Sequence, residues 1–157
     1  ADWSAVYLED VLGANASVAA SGYAAFSIAI AAFRFAGDSL ILRFGAPAIV
    51  RAGCLVAAVG MAIAIVGNTV PTTVTGFALV GAGLAATFPT ALGAAGRTPG
   101  MAPGMAIGAV ATAGYAGLLT GPPIIGFVSS AANLRVGLAL VIVLCVAGAL
   151  LAGTTRR

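Results

Sequence analysis

Charged positions divide this sequence into long apolar runs. Residues 11–33, 52–96, 98–134 and 136–155 contain no Asp, Glu, Lys or Arg over 23, 45, 37 and 20 residues. A helix that crosses the hydrocarbon core of a bilayer needs about 20 mostly apolar residues, so these runs hold one, two, one and one spans. Gly67, Asn68 and Pro71 split the longest run, because Gly and Asn end helices and Pro cannot continue one. Arg97, Thr98, Pro99 and Gly100 form the next break, and Ser129, Ser130 and Asn133 the last. The pattern predicts an all-α, polytopic transmembrane bundle of residues 1–157, with spans at about 16–36, 50–68, 73–95, 104–129 and 135–153. An outer-membrane barrel would alternate apolar and polar residues in stretches of about ten. These runs are continuous, which selects helices.

Upstream of the first run, Trp3 and Tyr7 precede Glu9 and Asp10. That segment reads as the last turns of a helix leaving the membrane, with its aromatics at interfacial depth. The sequence therefore predicts five full spans plus the end of a sixth, and an N-terminally truncated fragment.

Composition narrows the function classes. The chain is 61% hydrophobic and 7% charged, with a mean hydropathy of +1.13, against about 25% charged residues in soluble domains. A water-soluble globule is excluded. With no His and only two Cys, both inside apolar runs, neither a zinc site nor a disulfide framework is available. No Ser–His pairing, metal-ligand cluster or phosphate-binding loop supports an enzyme, and no metal or cofactor is expected. The net charge of +3 comes from Arg residues scattered at the ends of runs, so it marks no nucleic-acid surface. The expected partners are the lipid bilayer and a small-molecule solute.

Those Arg residues predict orientation, since basic connections stay cytoplasmic. Placing Arg34, Arg43, Arg51, Arg97, Arg156 and Arg157 inside leaves only Arg135 outside. The N-terminus is then outside and the C-terminus cytoplasmic. No charge is expected at mid-membrane, where it would signal ion coupling.

Packing is expected to run through small residues, because lipid offers helices no hydrophobic incentive to associate. Gly53, Gly60 and Gly67 recur every seven residues, and Gly100, Gly104 and Gly108 every four. Both spacings keep one stripe facing a neighbour.

The segment with the most specific chemistry is residues 34–45, expected as a cytoplasmic connection between the first two full spans. It holds Arg34, Gly37, Asp38, Leu40, Arg43 and Gly45. Here the sequence resembles the major facilitator superfamily of secondary transporters. That family carries a Gly-x-Leu-x-Asp-Arg-x-Gly signature between its second and third helices and a weaker copy between the eighth and ninth. Leu40, Arg43 and Gly45 fall in register. Leu42 stands where the family has its acid, and Asp38 where it has its first Gly. By the resemblance the segment is a conformational latch, with Asp38 taking the charge role beside Arg34 or Arg43.

A second stretch, with Gly114, Gly117, Gly121, Pro122, Pro123 and Gly126, resembles the eleventh helix of bacterial family members. The prolines are expected to kink the helix, and the glycines to admit a close neighbour. The opening residues 2–8 resemble the outer end of the seventh helix in a sugar-permease-like branch. The resemblance thus implies helices 7–12, the C-terminal half of a twelve-helix transporter in a bacterial inner membrane, awaiting an N-terminal six-helix half. The resemblance implies that the whole transporter moves a sugar-like or drug-like solute by alternating access and that this incomplete half is not competent alone. Trp3, Tyr7, Tyr23, Phe26, Phe88 and Tyr115 are the cavity-lining candidates, since aromatic and hydroxyl groups hold small organic ligands. The competing reading is a non-transporting membrane scaffold with five spans.

Overall fold

The computed structural model describes residues 2–153, the side chain of Asp38 apart. The described chain contains seven helices: α1 (Asp2–Asp10), α2 (Ala16–Phe44), α3 (Ala46–Val66), α4 (Val70–Leu84), α5 (Thr87–Ala95), α6 (Pro103–Ala131) and α7 (Leu134–Leu151). Five segments are long and apolar enough to cross a membrane, with α4 and α5 together forming the third. Successive spans reverse direction. One end of the bundle therefore holds Gly45, Thr98 and the end of α7, and the other holds Gly13, Asn68 and Asn133.

Local chemistry starts five of the helices. At the Asn68 end, the side chains of Asn15, Thr69 and Asn133 accept hydrogen bonds from the backbone N–H groups of Val18, Thr72 and Val136 at 3.0, 3.4 and 3.0 Å. Each satisfies one of the donors a helix start leaves orphaned. At the Gly45 end, α3 and α6 instead begin with Pro in the first turn, where a missing N–H costs nothing.

The centre of the bundle is the α3–α4 pair. Gly53 lies against the backbone of Gly83, and Gly60 against Gly76, in antiparallel register. A Cβ on Gly60 would sit 2.6 Å from the Leu79 Cβ and 2.7 Å from the Gly76 carbonyl oxygen. Only residues without side chains permit this approach. Beside the zipper, the wholly buried Thr73 hydroxyl donates to the Ala64 carbonyl at 3.1 Å. The sevenfold stripe predicted on α3 is thus an interface, and its partner is a second sevenfold pair on α4. On another face of α4, Gly81 meets the backbone of Phe26 on α2.

The remaining helices assemble around this pair. Tyr7, Ala57, Met61, Phe77, Val80, Leu138 and Cys145 form the main core, drawn from α1, α3, α4 and α7. α7 packs along α3 and is held at both ends. The Arg51 Nε donates to the Ala149 carbonyl at 3.3 Å, and Arg135 donates to the Asn68 side chain.

Two expectations are corrected. The third span, predicted as one helix over about 73–95, is interrupted at Ala85–Ala86. Pro89 supplies the reason: it lacks the N–H that would bond the Ala85 carbonyl, and its ring crowds that oxygen. Residues 34–44, expected as a connection, are helical, and Gly45 alone joins α2 to α3. Its φ of 82° needs a residue without Cβ, while its N–H closes α2 on the Ile41 carbonyl at 2.8 Å. Arg34 and Arg51 accordingly lie inside the end turns of α2 and α3 rather than in a loop.

Candidate functional site

The predicted latch residues occupy the last three turns of α2 and the one-residue connection to α3. Gly37 is buried, and a Cβ there would lie 3.5 Å from the Ala86 Cβ. The motif glycine therefore rests on the break between α4 and α5. Leu40, one turn on, faces the same side and borders an apolar cavity with Gly37. Arg34 and Arg43 are exposed, and the Arg43 guanidinium lies 5.4 Å from the Phe44 ring centroid, a cation–π distance. The charge role expected of Asp38 falls outside the described residues, as do Arg156 and Arg157. Arg97, near the end of α5, borders a smaller hollow with Ile41 and Ala46, which sets it beside the α2–α3 turn. Four features thus share one end of the bundle: the motif, the helix break, Arg97 and the Arg51 contact to α7.

The second motif divides. Gly114 lies under the Phe88 ring of α5, and Gly126 under the Trp3 indole of α1, where a Cβ would sit 3.3 and 3.4 Å from ring carbons. Those two glycines do admit close neighbours. Gly117 and Gly121, expected to do the same, face nothing within 4 Å among the described residues, and neither do Gly104 and Gly108. Helix α6 runs unbroken across Pro122 and Pro123. The Thr120 hydroxyl donates to the Ala116 carbonyl at 2.8 Å one turn before them.

The six aromatic candidates are not equivalent. Tyr7 has 0% exposure, its hydroxyl donates to the Ile65 carbonyl at 2.9 Å, and its ring meets Phe77 edge-on at 6.5 Å. It belongs to the core, and its polar tip is satisfied at the end of α3. Phe26 packs against the same core, half-buried. Tyr23 and Tyr115, at 52% and 61% exposure, stand on the open faces of α2 and α6. Phe88 is partly exposed where it covers Gly114. The half-buried Trp3 keeps a buried indole N–H for which no partner is found.

The openness of α2 and α6 exceeds what the sequence suggested. Only 11% of the most apolar window of α2 and 6% of that of α6 is buried, against 39% for α3. Hydropathy does not separate a helix surrounded by its own bundle from one facing elsewhere. In the fold, the open glycine positions on α6 make that distinction.

Comparison with known proteins agrees with this architecture. The Major Facilitator Superfamily profile matches residues 3–157. The uncharacterized transporter y4wD of Sinorhizobium fredii is 40% identical over 134 residues, covering 85% of this chain and 36% of its own length. An uncharacterized MFS-type transporter of Yersinia pestis is 37% identical over 143 residues, covering 91% and 37% respectively. The membrane protein MosC of Rhizobium meliloti is 32% identical over 146 residues, covering 93% and 35%. The chain thus spans little more than a third of the length of these curated relatives. No solved structure gives a significant match. The family is one of multi-pass membrane transporters, which favours transport over the scaffold reading. This chain belongs to the major facilitator superfamily.

Proposed function

We propose that this chain, with its five full spans and the end of a sixth, belongs to the C-terminal half of a secondary transporter that moves a small sugar-like or drug-like solute by alternating access. One observation carries the reading: α2 and α6 are apolar enough to span a membrane yet are scarcely buried by this bundle. A six-helix partner packed across those faces would enclose a central cavity, the arrangement on which alternating access by two rocking halves depends. Tyr23 and Tyr115 then offer hydroxyls to a solute, and Trp3 its indole N–H. The Gly45 end faces the cytoplasm of a bacterial inner membrane. Arg34, Arg43, Arg51 and Arg97 gather there and Arg135 lies opposite, as the positive-inside rule favours. In this reading the α2 end is the latch, acting through the contact of Gly37 with the α4–α5 break.

The test is solute uptake by the native protein in proteoliposomes, screened against sugars and lipophilic drugs. Gly117→Leu puts bulk on the open face of α6, where a Cβ meets nothing within 4 Å among the described residues. It should lower uptake at least several-fold while membrane insertion and the melting temperature hold. Unchanged uptake overturns the assignment of that face. Single-cysteine labelling at Ser39 and Asn133 tests the topology: reactivity of both from the same side overturns the span count, and reactivity of Ser39 from outside with Asn133 from the cytoplasm overturns the orientation.

A further inference from the structure

Near the Gly45 end, α2, α3 and α4 do not close on one another. α4 lies along both other helices, but α2 and α3 touch each other only sparingly. The gap is a cavity of about 230 Å³, bordered by Phe33, Gly37 and Leu40 of α2, Ile49 and Val56 of α3, and Ala86 at the helix break. It exists because small residues sit where the three helices would otherwise fill it. Every lining residue is a glycine or carries a hydrocarbon side chain. The rim is open: Phe33 and Val56 are 50% and 40% exposed.

We propose that this fissure seats an acyl chain of an anionic phospholipid from the leaflet at the Gly45 end. Three features of the cavity select that occupant. Its walls offer no side-chain donor or acceptor, so a sugar or ion entering it would shed water and gain nothing in return. Its size lies between that of an engineered apolar cavity of ~150 Å³ that takes benzene and the roughly 300–1,000 Å³ of drug-sized sites. A run of methylenes fits, and acyl chains are what a bilayer presents to an open apolar rim. The third feature is charge. At 100° per residue, Arg34 and Arg43 fall on opposite flanks of the strip formed by Phe33, Gly37 and Leu40, and both are exposed. Arg34, beside Phe33, and Arg43, one turn beyond Leu40, thus flank the lining strip about 13 Å apart along the helix, with Arg43 at the end of α2, where a phosphate headgroup lies. Guanidinium groups pair with phosphate through charge-assisted hydrogen bonds. The occupied fissure would place a lipid tail against the α4–α5 break. This inference does not rest on the transport reading and stands or falls separately.

The experiment uses the native protein in vesicles of phosphatidylethanolamine and phosphatidylglycerol that include phosphatidylglycerol with a photoactivatable group in its acyl chain. Irradiation and peptide mapping should concentrate adducts on residues 33–56 and 79–86. Ala52→Phe adds a ring at the exposed edge of the fissure and should cut those adducts several-fold with an unchanged melting temperature. The paired variant Arg34→Gln/Arg43→Gln leaves the cavity intact and should also lower labelling by phosphatidylglycerol. Adducts spread evenly over the exposed residues of α6, or indifferent to all these substitutions, overturn the proposal. So does cross-linking of the fissure walls to another segment of the protein or to a second copy, which would mean that protein occupies the gap.

Discussion

Gly53 of α3 and Gly83 of α4 face each other so closely that a Cβ on either would strike the carbonyl oxygen of the other. The relationship is reciprocal and purely backbone, so no rotamer change can relieve a substitution there. Gly53→Ala and Gly83→Ala should each cost about 1–3 kcal/mol, the usual price of overpacking. Gly104→Ala, where a Cβ meets nothing within 4 Å, should leave the melting temperature of this bundle unaltered. Thermal unfolding of the three variants in detergent checks the contrast, and equal losses would remove the zipper from its central place.

Tyr7 reaches from α1 to the Ile65 carbonyl in the last turn of α3. A helix end leaves its final carbonyls without intrahelical donors, so this hydroxyl closes α3 from outside the helix. Tyr7→Phe keeps the ring against Phe77 and removes only the bond. A loss of about 1 kcal/mol is expected from equilibrium unfolding. No change would show that the Ile65 carbonyl finds another donor.

Arg51 donates to the Ala149 carbonyl near the C-terminus of α7, where the helix dipole favours a cation. Arg51→Met keeps the apolar stem and deletes the donor. Amide hydrogen exchange in the last turn of α7 should speed up, with a stability loss of about 1 kcal/mol. Unaltered exchange would mean that packing alone holds that end.

Pro89 interrupts the third span. Pro89→Ala restores an N–H one turn beyond the Ala85 carbonyl and removes the clashing ring. The helix should become continuous from α4 into α5, seen as increased exchange protection for residues 85–89. If the break persists unchanged, its cause lies in the surrounding packing and not in the proline.

The sequence disclosed the class, the number of spans and the α3 stripe, because each is a periodic property summed over many residues. Single-residue events were harder to see. Pro89 sits in a run so apolar that hydropathy passes straight over it. Residues 34–44 read as a connection only if charge marks the end of a helix, yet α2 carries Arg34 and Arg43 on its final turns. Tyr7 looked like a ligand group from its type and interfacial setting, and only the fold shows its hydroxyl engaged. On α6 the glycine spacing predicts close packing, whereas Gly104, Gly108, Gly117 and Gly121 face open space among the described residues. Spacing identifies a surface fit for contact, and says nothing of whether the contacting partner lies in the same stretch of chain.

The one-residue connection at Gly45 has a mechanical consequence. Consecutive Cα atoms are about 3.8 Å apart, so the tether between the last residue of α2 and the first of α3 is shorter than two such steps. It has no slack to absorb sliding. Any displacement of the α2 tip must be passed on as a tilt or rotation of α3, and through the glycine zipper to α4. What the primary structure presents as a hinge point operates in the bundle as a rigid coupling.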